Sequence, residues 1–382
     1  MNLSELTAQH LVRQGGFLLD SQCPDDDEAV LRQWLSDTGL SDGVLTHQLR
    51  APSGTRIICQ LDPCYRIQHL PLHATLALHH RWKKHRGHPP SLAQEILQAL
   101  LAAPRPLHFA GLSALQSHIR VRLHIVEAAR QTALAFKTQA AERPENFWRY
   151  DEDHGFLLHP GCDLVQAIVA ATQPEATGRL YDFSCYRASE YVILLGIARE
   201  LQHHHPALYT QLQDRCQMHA IRSGQFHDVF LTEYGSLPEP LPAHYYVPGD
   251  RLWFRNPDAR SSDIEGYEGS WVIYMGEGLS SNFWERERPF TLESKCLEIF
   301  HWRDGAQPDA HGQLQMDEVR VAQAVQATRS DPQACDQVLD LMMRMRDPQG
   351  TYADGGCIDA TREFPRCVSQ QGCQLVLPDF SR

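Results

Sequence analysis

Apolar positions recur at helical spacing in several separate windows, and between them lie short alternating runs of strand type. After Cys185 come Ala188, Val192, Leu195, Ala198 and Leu201, which predicts a helix from Cys185 to the His203-His204-His205-Pro206 stop. A long amphipathic helix is predicted from Ser113 to about Ala141. Earlier, Asp25-Asp-Asp27 suits a helix N-terminus and Gly39 its end, while Ser91-Leu-Ala-Gln94 is a capping box for a helix reaching Ala102-Ala103. Near the far end, Asp331-Pro332 opens a helix with an apolar stripe of Val338, Leu341 and Met342, a packing face. Arg56 to Leu61 reads as a strand. Val247-Pro-Gly-Asp-Arg-Leu-Trp-Phe-Arg-Asn-Pro-Asp258 reads as turn, short strand, turn, and Glu268 to Gly278 as a β-rich run closing on Gly276-Glu-Gly278.

One position in this pattern carries chemistry. A thiol in the first turn of a helix, as at Cys185, lies near unpaired backbone N–H groups and the positive end of the helix dipole. That setting is expected to lower its pKa and make thiolate, the nucleophile of acyl-transfer enzymes. Elsewhere, free cysteines are mostly small buried packing residues.

The segments around this thiol resemble the bacterial spore-coat protein-glutamine gamma-glutamyltransferases, a transglutaminase family related in fold to the NlpC-type cell-wall peptidases. The likeness runs from Pro106-Leu-His-Phe through Arg120-Val-Arg-Leu-His-Ile-Val-Glu-Ala-Ala-Arg130, Asn146-Phe-Trp-Arg149 and Leu158 to Ile168. It continues through Tyr181-Asp-Phe-Ser-Cys185 and from Pro248-Gly-Asp to Gly278, and fades near residue 300. The resemblance implies an α+β fold: a papain-like (NlpC-like) core with the thiol-bearing helix packed on a small antiparallel sheet. Helical N- and C-terminal additions would flank that core. It also implies attack by Cys185 on a protein glutamine, with a lysine amine or water resolving the thioester, and no cofactor.

The sequence departs from the family at the thiol's expected partners. The family's glutamate before the nucleophile is Ser184 here, and its glutamate on the later strand aligns with Ser270. Strand alternation places Glu268 on the face of Ser270, so Glu268 is the candidate base, ahead of Glu265 and Asp263. The family's Gly-His-Gly segment is replaced by Ser281-Asn282-Phe283-Trp284. His219 and His227 are the histidines nearest the core, and His227, read as starting an alternating strand, is the better second candidate. With these departures, a cysteine deamidase or amide hydrolase acting as an effector or toxin stays open, as does an inactive binding module.

Composition trims the alternatives. The formal charge of −12 argues against nucleic acid as a main partner, and the basic run Arg81 to Arg86 reads as a solvated face or docking patch. No apolar stretch is long enough to span a membrane, and the start Met1-Asn-Leu-Ser-Glu-Leu-Thr lacks signal-peptide features, so a cytoplasmic location is expected. Export by a specialised secretion machine would leave no such mark, and would bring a chaperone or immunity partner. The 11 scattered cysteines fit a reducing compartment better than a disulfide framework. Adjacent histidines at 203–205 point in different directions, unlike metal ligands, and Cys357, Cys367 and Cys373 form no zinc-type pair. Pro104-Arg-Pro106 marks a boundary, dividing the chain into 1–104, a catalytic core 105–303 and an appendage 304–382 whose tail from Asp347 is loop-rich.

Overall fold

A computed structural model describes residues 15–51, 54–136, 141–221, 223–346 and 356–378. The chain start and the part of the tail from Asp347 to Gly355 lie outside the described residues. The chain is a mixed α+β protein with several small sheets.

The first sheet is built from β1 (Phe17–Ser21), β2 (Val44–Ala51), β3 (Gly54–Leu61) and β4 (Leu107–Phe109), in the order β2-β3-β1-β4. Helices α1 (Pro24–Asp37), α2 (Pro63–His69), α3 (Leu78–Arg86) and α4 (Leu92–Leu101) accompany it. The acids Asp25, Asp26 and Asp27 occupy the first turn of α1, and Ser91 caps α4 in the expected reciprocal pair with Gln94. Residues 95–101 of α4 are buried all round, so this helix is interior. The apolar cluster of this region also takes in Ala114, Leu115 and Ile119, and beyond them Leu241, Tyr245 and Val247. It therefore crosses the Pro104-Arg-Pro106 segment.

Helix α5 (Leu112–Gln131) stops some ten residues before the expected Ala141. Thr132 turns to extended geometry, with ψ of 125°. The chain is then drawn off by tertiary bonds, Ala133 N–H to Thr172 and Leu134 N–H to Phe283, before β5 (Ala135–Phe136). Helical periodicity could not register those competing partners. The hairpin β6 (Trp148–Asp151) and β7 (Gly155–Leu158), α6 (Leu164–Thr172) and β8 (Asp182–Phe183) lead into α7 (Cys185–His204). Helix α7 is buried from Ala188 through Ile193 and on to Leu201, and packs against α5. At Gly196 a Cβ would lie 2.4 Å from Ile125 Cγ1, so only glycine permits this approach.

Helices α8 (Pro206–Met218) and α9 (Ser223–Phe230) precede β9 (Leu231–Tyr234). The alternating strand expected to begin at His227 is thus the last turn of α9; the apolar residues Phe226, Val229 and Phe230 suit the i, i+3, i+4 face of a helix equally well. Next come β10 (Arg251–Arg255), the short α10 (Ala259–Ser262), β11 (Gly269–Gly276), β12 (Leu279–Ser280) and β13 (Phe290–Thr291). Beyond them lie α11 (Leu292–Gly305), the hairpin β14 (Ala306–Pro308) and β15 (Leu314–Met316), α12 (Glu318–Arg329), α13 (Pro332–Met342) and β16 (Arg362–Pro365). The second sheet has the order β13-β12-β11-β10-β16-β9, with antiparallel neighbours throughout. Strand β16, from the tail, is an interior strand of this sheet.

Side-chain alternation along β11 assigns its two faces. Ile273 and Met275 join the cluster of α7, whereas Val272 and Tyr274, with Leu252 and Phe254 of β10, pack on Cys296, Leu297 and Ile299 of α11. The sheet is thereby held between α7 on one side and α11 on the other.

Candidate active site

Ser184, where the family resemblance expects glutamate, is the N-cap of α7: its Oγ accepts the N–H of Arg187 at 3.4 Å. Serine is a favoured residue at such a position, contributing about 1 kcal/mol. Cys185 follows as the first helical residue and is partly buried.

The sulfur of Cys185 faces strand β11. Ladder bonds to β10 are made at Glu268, whose carbonyl accepts from Asn256 at 3.0 Å, and at Tyr274, whose N–H reaches Asp250 at 2.9 Å. With this alternation the odd-numbered N–H groups point away from β10. That of Trp271 lowers the pKa of the Cys185 thiol, as does the N–H of Tyr186. The thiol also feels the charges of Lys295 and Glu268. Burial is the largest influence and pushes the thiol above its usual range; the Trp271 N–H, Lys295 and the Tyr186 N–H pull it down, and Glu268 pushes it up. The expected fall in pKa is thus reversed, because desolvation of the thiolate outweighs the donors around it.

Two sequence features hold Glu268 in place. The buried Asn256 gives its Nδ2 to Ser261 Oγ and to the carbonyl of Tyr267, both at 2.9 Å, and its Oδ1 accepts from Asp258 at 3.0 Å. This folds the loop from 256 to 268 back onto the strand pair. Gly269 then lies so close to β10 that a Cβ would meet Trp253 Nε1 at 2.3 Å. Glu268 itself is exposed and immediately precedes β11. Ser270 pairs with Phe254 across the ladder, on the β11 face of Val272 and Tyr274.

His227 is joined to this region indirectly. Its Nδ1 bonds Glu363 at 2.8 Å, and the other Glu363 oxygen takes the Nε–H of Arg251. Arg251 is fully buried and lies over Tyr186 and Trp271, 5.0 and 4.5 Å from the ring centroids. It thus braces the two residues whose N–H groups lower the thiol pKa. Glu190 on α7 is also buried here, bonded to Arg187 at 2.7 Å, and burial raises its pKa.

Lys295, Trp271, Arg251 and Glu363 are the neighbours that sequence reading missed. Lys295 is a buried cation in the second turn of α11, 3.5 Å from the Phe290 ring centroid. A lysine set among Cys296, Leu297 and Ile299 was the available signal, since lysine is seldom buried without a partner. For Glu363 no signal existed, because nothing local places residue 363 beside residue 251.

The turn Val247-Pro-Gly-Asp250 is fixed from α5. Arg122, almost wholly buried, bonds Asp250 at 2.8 Å and the Pro248 carbonyl at 3.0 Å. Its Nε donates to His118 Nε2 at 2.7 Å, and burial with that neighbouring charge keeps His118 neutral, well below its usual pKa.

A solved transglutaminase from Geobacillus stearothermophilus (without C-terminal extension) is similar at 21% identity, covering 56% of this chain and 97% of that one, with a TM-score of 0.40. No curated protein matches. The sequence model of the family described as protein-glutamine gamma-glutamyltransferase matches residues 74–356, which is most of the chain. The chain belongs to the protein-glutamine gamma-glutamyltransferase family.

Proposed function

We propose that the protein is a cysteine acyltransferase of the transglutaminase type on a papain-like core, with Cys185 as nucleophile. The observation that carries this reading is the Cys185 thiol at the first position of α7, influenced by the backbone N–H groups of Trp271 and Tyr186 and by the opposed charges of Glu268 and Lys295. The thiol attacks the carboxamide carbon of a protein glutamine. The tetrahedral oxyanion takes hydrogen bonds from backbone N–H groups at the start of α7, including that of Cys185, which has no partner inside the helix. Collapse expels ammonia, which leaves with a proton, and the acyl group remains as a thioester. A lysine amine then loses a proton as it forms the isopeptide, or water yields glutamate.

Because burial holds the thiol protonated, a base must take its proton, and Glu268 is the carboxylate whose charge reaches it. Ser184 caps the helix of the nucleophile, Ser270 lies on the β11 face of Val272 and Tyr274, and neither titrates near neutral pH. His227 acts through Glu363 and Arg251 rather than on the sulfur. No organic cofactor or metal takes part in this scheme, and the partners are proteins presenting glutamine and lysine side chains. The placement of serine at both family glutamate positions favours a second reading, a deamidase that uses water as acceptor.

Ammonia release from a glutamine peptide, with and without a primary amine, separates the readings. Amine incorporation that disappears in Cys185→Ala, with melting unchanged, supports the transferase. Ammonia without incorporation supports the deamidase. Activity that survives Cys185→Ala overturns the nucleophile, and silence in both conditions leaves only a binding module.

A further inference from the structure

Behind the sheet, on the side away from α7, two thiols face each other. Cys296 of α11 and Cys357, which precedes β16, have sulfurs 3.5 Å apart, and both residues are 0% exposed. They are separated by 61 positions, and neither takes part in the chemistry proposed for Cys185. Cys357 is held on both sides: its N–H reaches the Met342 carbonyl at 2.9 Å, and its own carbonyl accepts from Arg255 of β10 at 2.9 Å. Cys296 sits next to Lys295, whose charge reaches the Cys185 thiol.

We propose that Cys296 and Cys357 are a disulfide-forming pair, a covalent modification site that clamps α11 to the segment lying along β10 when a small-molecule disulfide acts as oxidant. A disulfide needs its sulfurs at about 2 Å, so the pair must close by a further ~1.5 Å. One thiolate attacks the oxidant's S–S bond, forms a mixed disulfide and releases one small thiol. The second thiolate then attacks the protein sulfur and releases the other small thiol. The two protein thiols lose two protons and two electrons, and the oxidant's disulfide is reduced to two thiols. Burial pushes the Cys357 thiol well up, so exchange runs through local opening and is slow in the native state. Once closed, the link spans a long loop holding α12 and α13, and so restricts the unfolded chain strongly.

The test uses the full chain with oxidised glutathione in urea well below the unfolding midpoint, followed by digestion without reductant and mass mapping. The expected product lacks two hydrogens, joins the peptides of Cys296 and Cys357, and melts several degrees higher until dithiothreitol restores the original value. Cys296→Ser and Cys357→Ser each remove that rise. Should either variant fail to fold, mapping of the unsubstituted chain still decides. The proposal is overturned if exposed Cys23 and Cys64 become glutathionylated while this pair stays unlinked. Linkage of another pair, or a link that lowers the melting temperature, overturns it as well.

Discussion

Two charges pull on the Cys185 thiol in opposite senses, and substitution separates their electrostatic from their chemical part. Glu268 raises the thiol pKa and Lys295 lowers it, against a larger upward push from burial. Only thiolate is alkylated, so iodoacetamide labelling of Cys185 climbs with pH, with a midpoint above the ordinary thiol range near ~8.5. Removing the negative charge in Glu268→Gln moves this midpoint down, and Lys295→Met moves it up. If Glu268 is also the base, turnover of Glu268→Gln falls by about a hundredfold although its thiolate forms more readily. Ser270→Glu, which restores the family residue, raises transferase activity. A Glu268→Gln variant with a lowered midpoint and undiminished turnover would leave Glu268 an electrostatic neighbour and no more.

At the scale of elements, what the sequence made legible was whatever bonds locally. Ser91 with Gln94, Asp331 ahead of Pro332, and the run from Cys185 to the histidine stop each carry their own helix signal within a few residues, and each forms the expected helix. The end of α5 and the identity of α9 were not legible. One is decided by hydrogen bonds to Thr172 and Phe283, the other by which apolar face the surrounding core accepts. The Pro248-Gly-Asp250 turn lies between these cases: it shows as a turn in sequence, yet its partner Arg122 lies 128 positions away. Asp250→Ala leaves that guanidinium buried beside carbonyls without its counter-charge and frees the Val247 N–H that Asp250 accepts at 2.8 Å. A loss of about 3–5 kcal/mol in urea unfolding is the expected result. An effect under ~1 kcal/mol would show that water replaces the carboxylate.

For the whole molecule, the proline pair at 104 and 106 marks a turn in the path of the chain, while the packing runs across it. The family match itself starts at residue 74, ahead of those prolines. A chain beginning at Pro104 loses the partners of Ala114, Leu115, Ile119 and Tyr245, so it is expected to be insoluble; a soluble, cooperatively melting product would show that 1–104 folds apart from the rest. The joint between the two regions contains a titratable group. Glu95 of α4 is almost fully buried and accepts the N–H of Glu277, beyond β11, at 2.9 Å. Burial is the main cause that lifts its pKa to about 7; the Glu277 charge adds to the rise, while the Glu277 N–H, Tyr274 and Arg130 oppose it. A carboxyl with a folded pKa above its unfolded value binds its proton more tightly in the folded chain. Its contribution is therefore complete below about 4.5 and is lost as pH rises through about 7. The span corresponds to at most about 3 kcal/mol. Urea unfolding at a series of pH values should show stability falling across this window. In Glu95→Gln, which keeps an acceptor for the Glu277 N–H but cannot ionise, that fall should flatten, leaving the variant the more stable of the two at pH ~8. An unchanged slope would place the ionised carboxylate in contact with water, and the two regions would then meet less tightly than the buried Glu95 indicates.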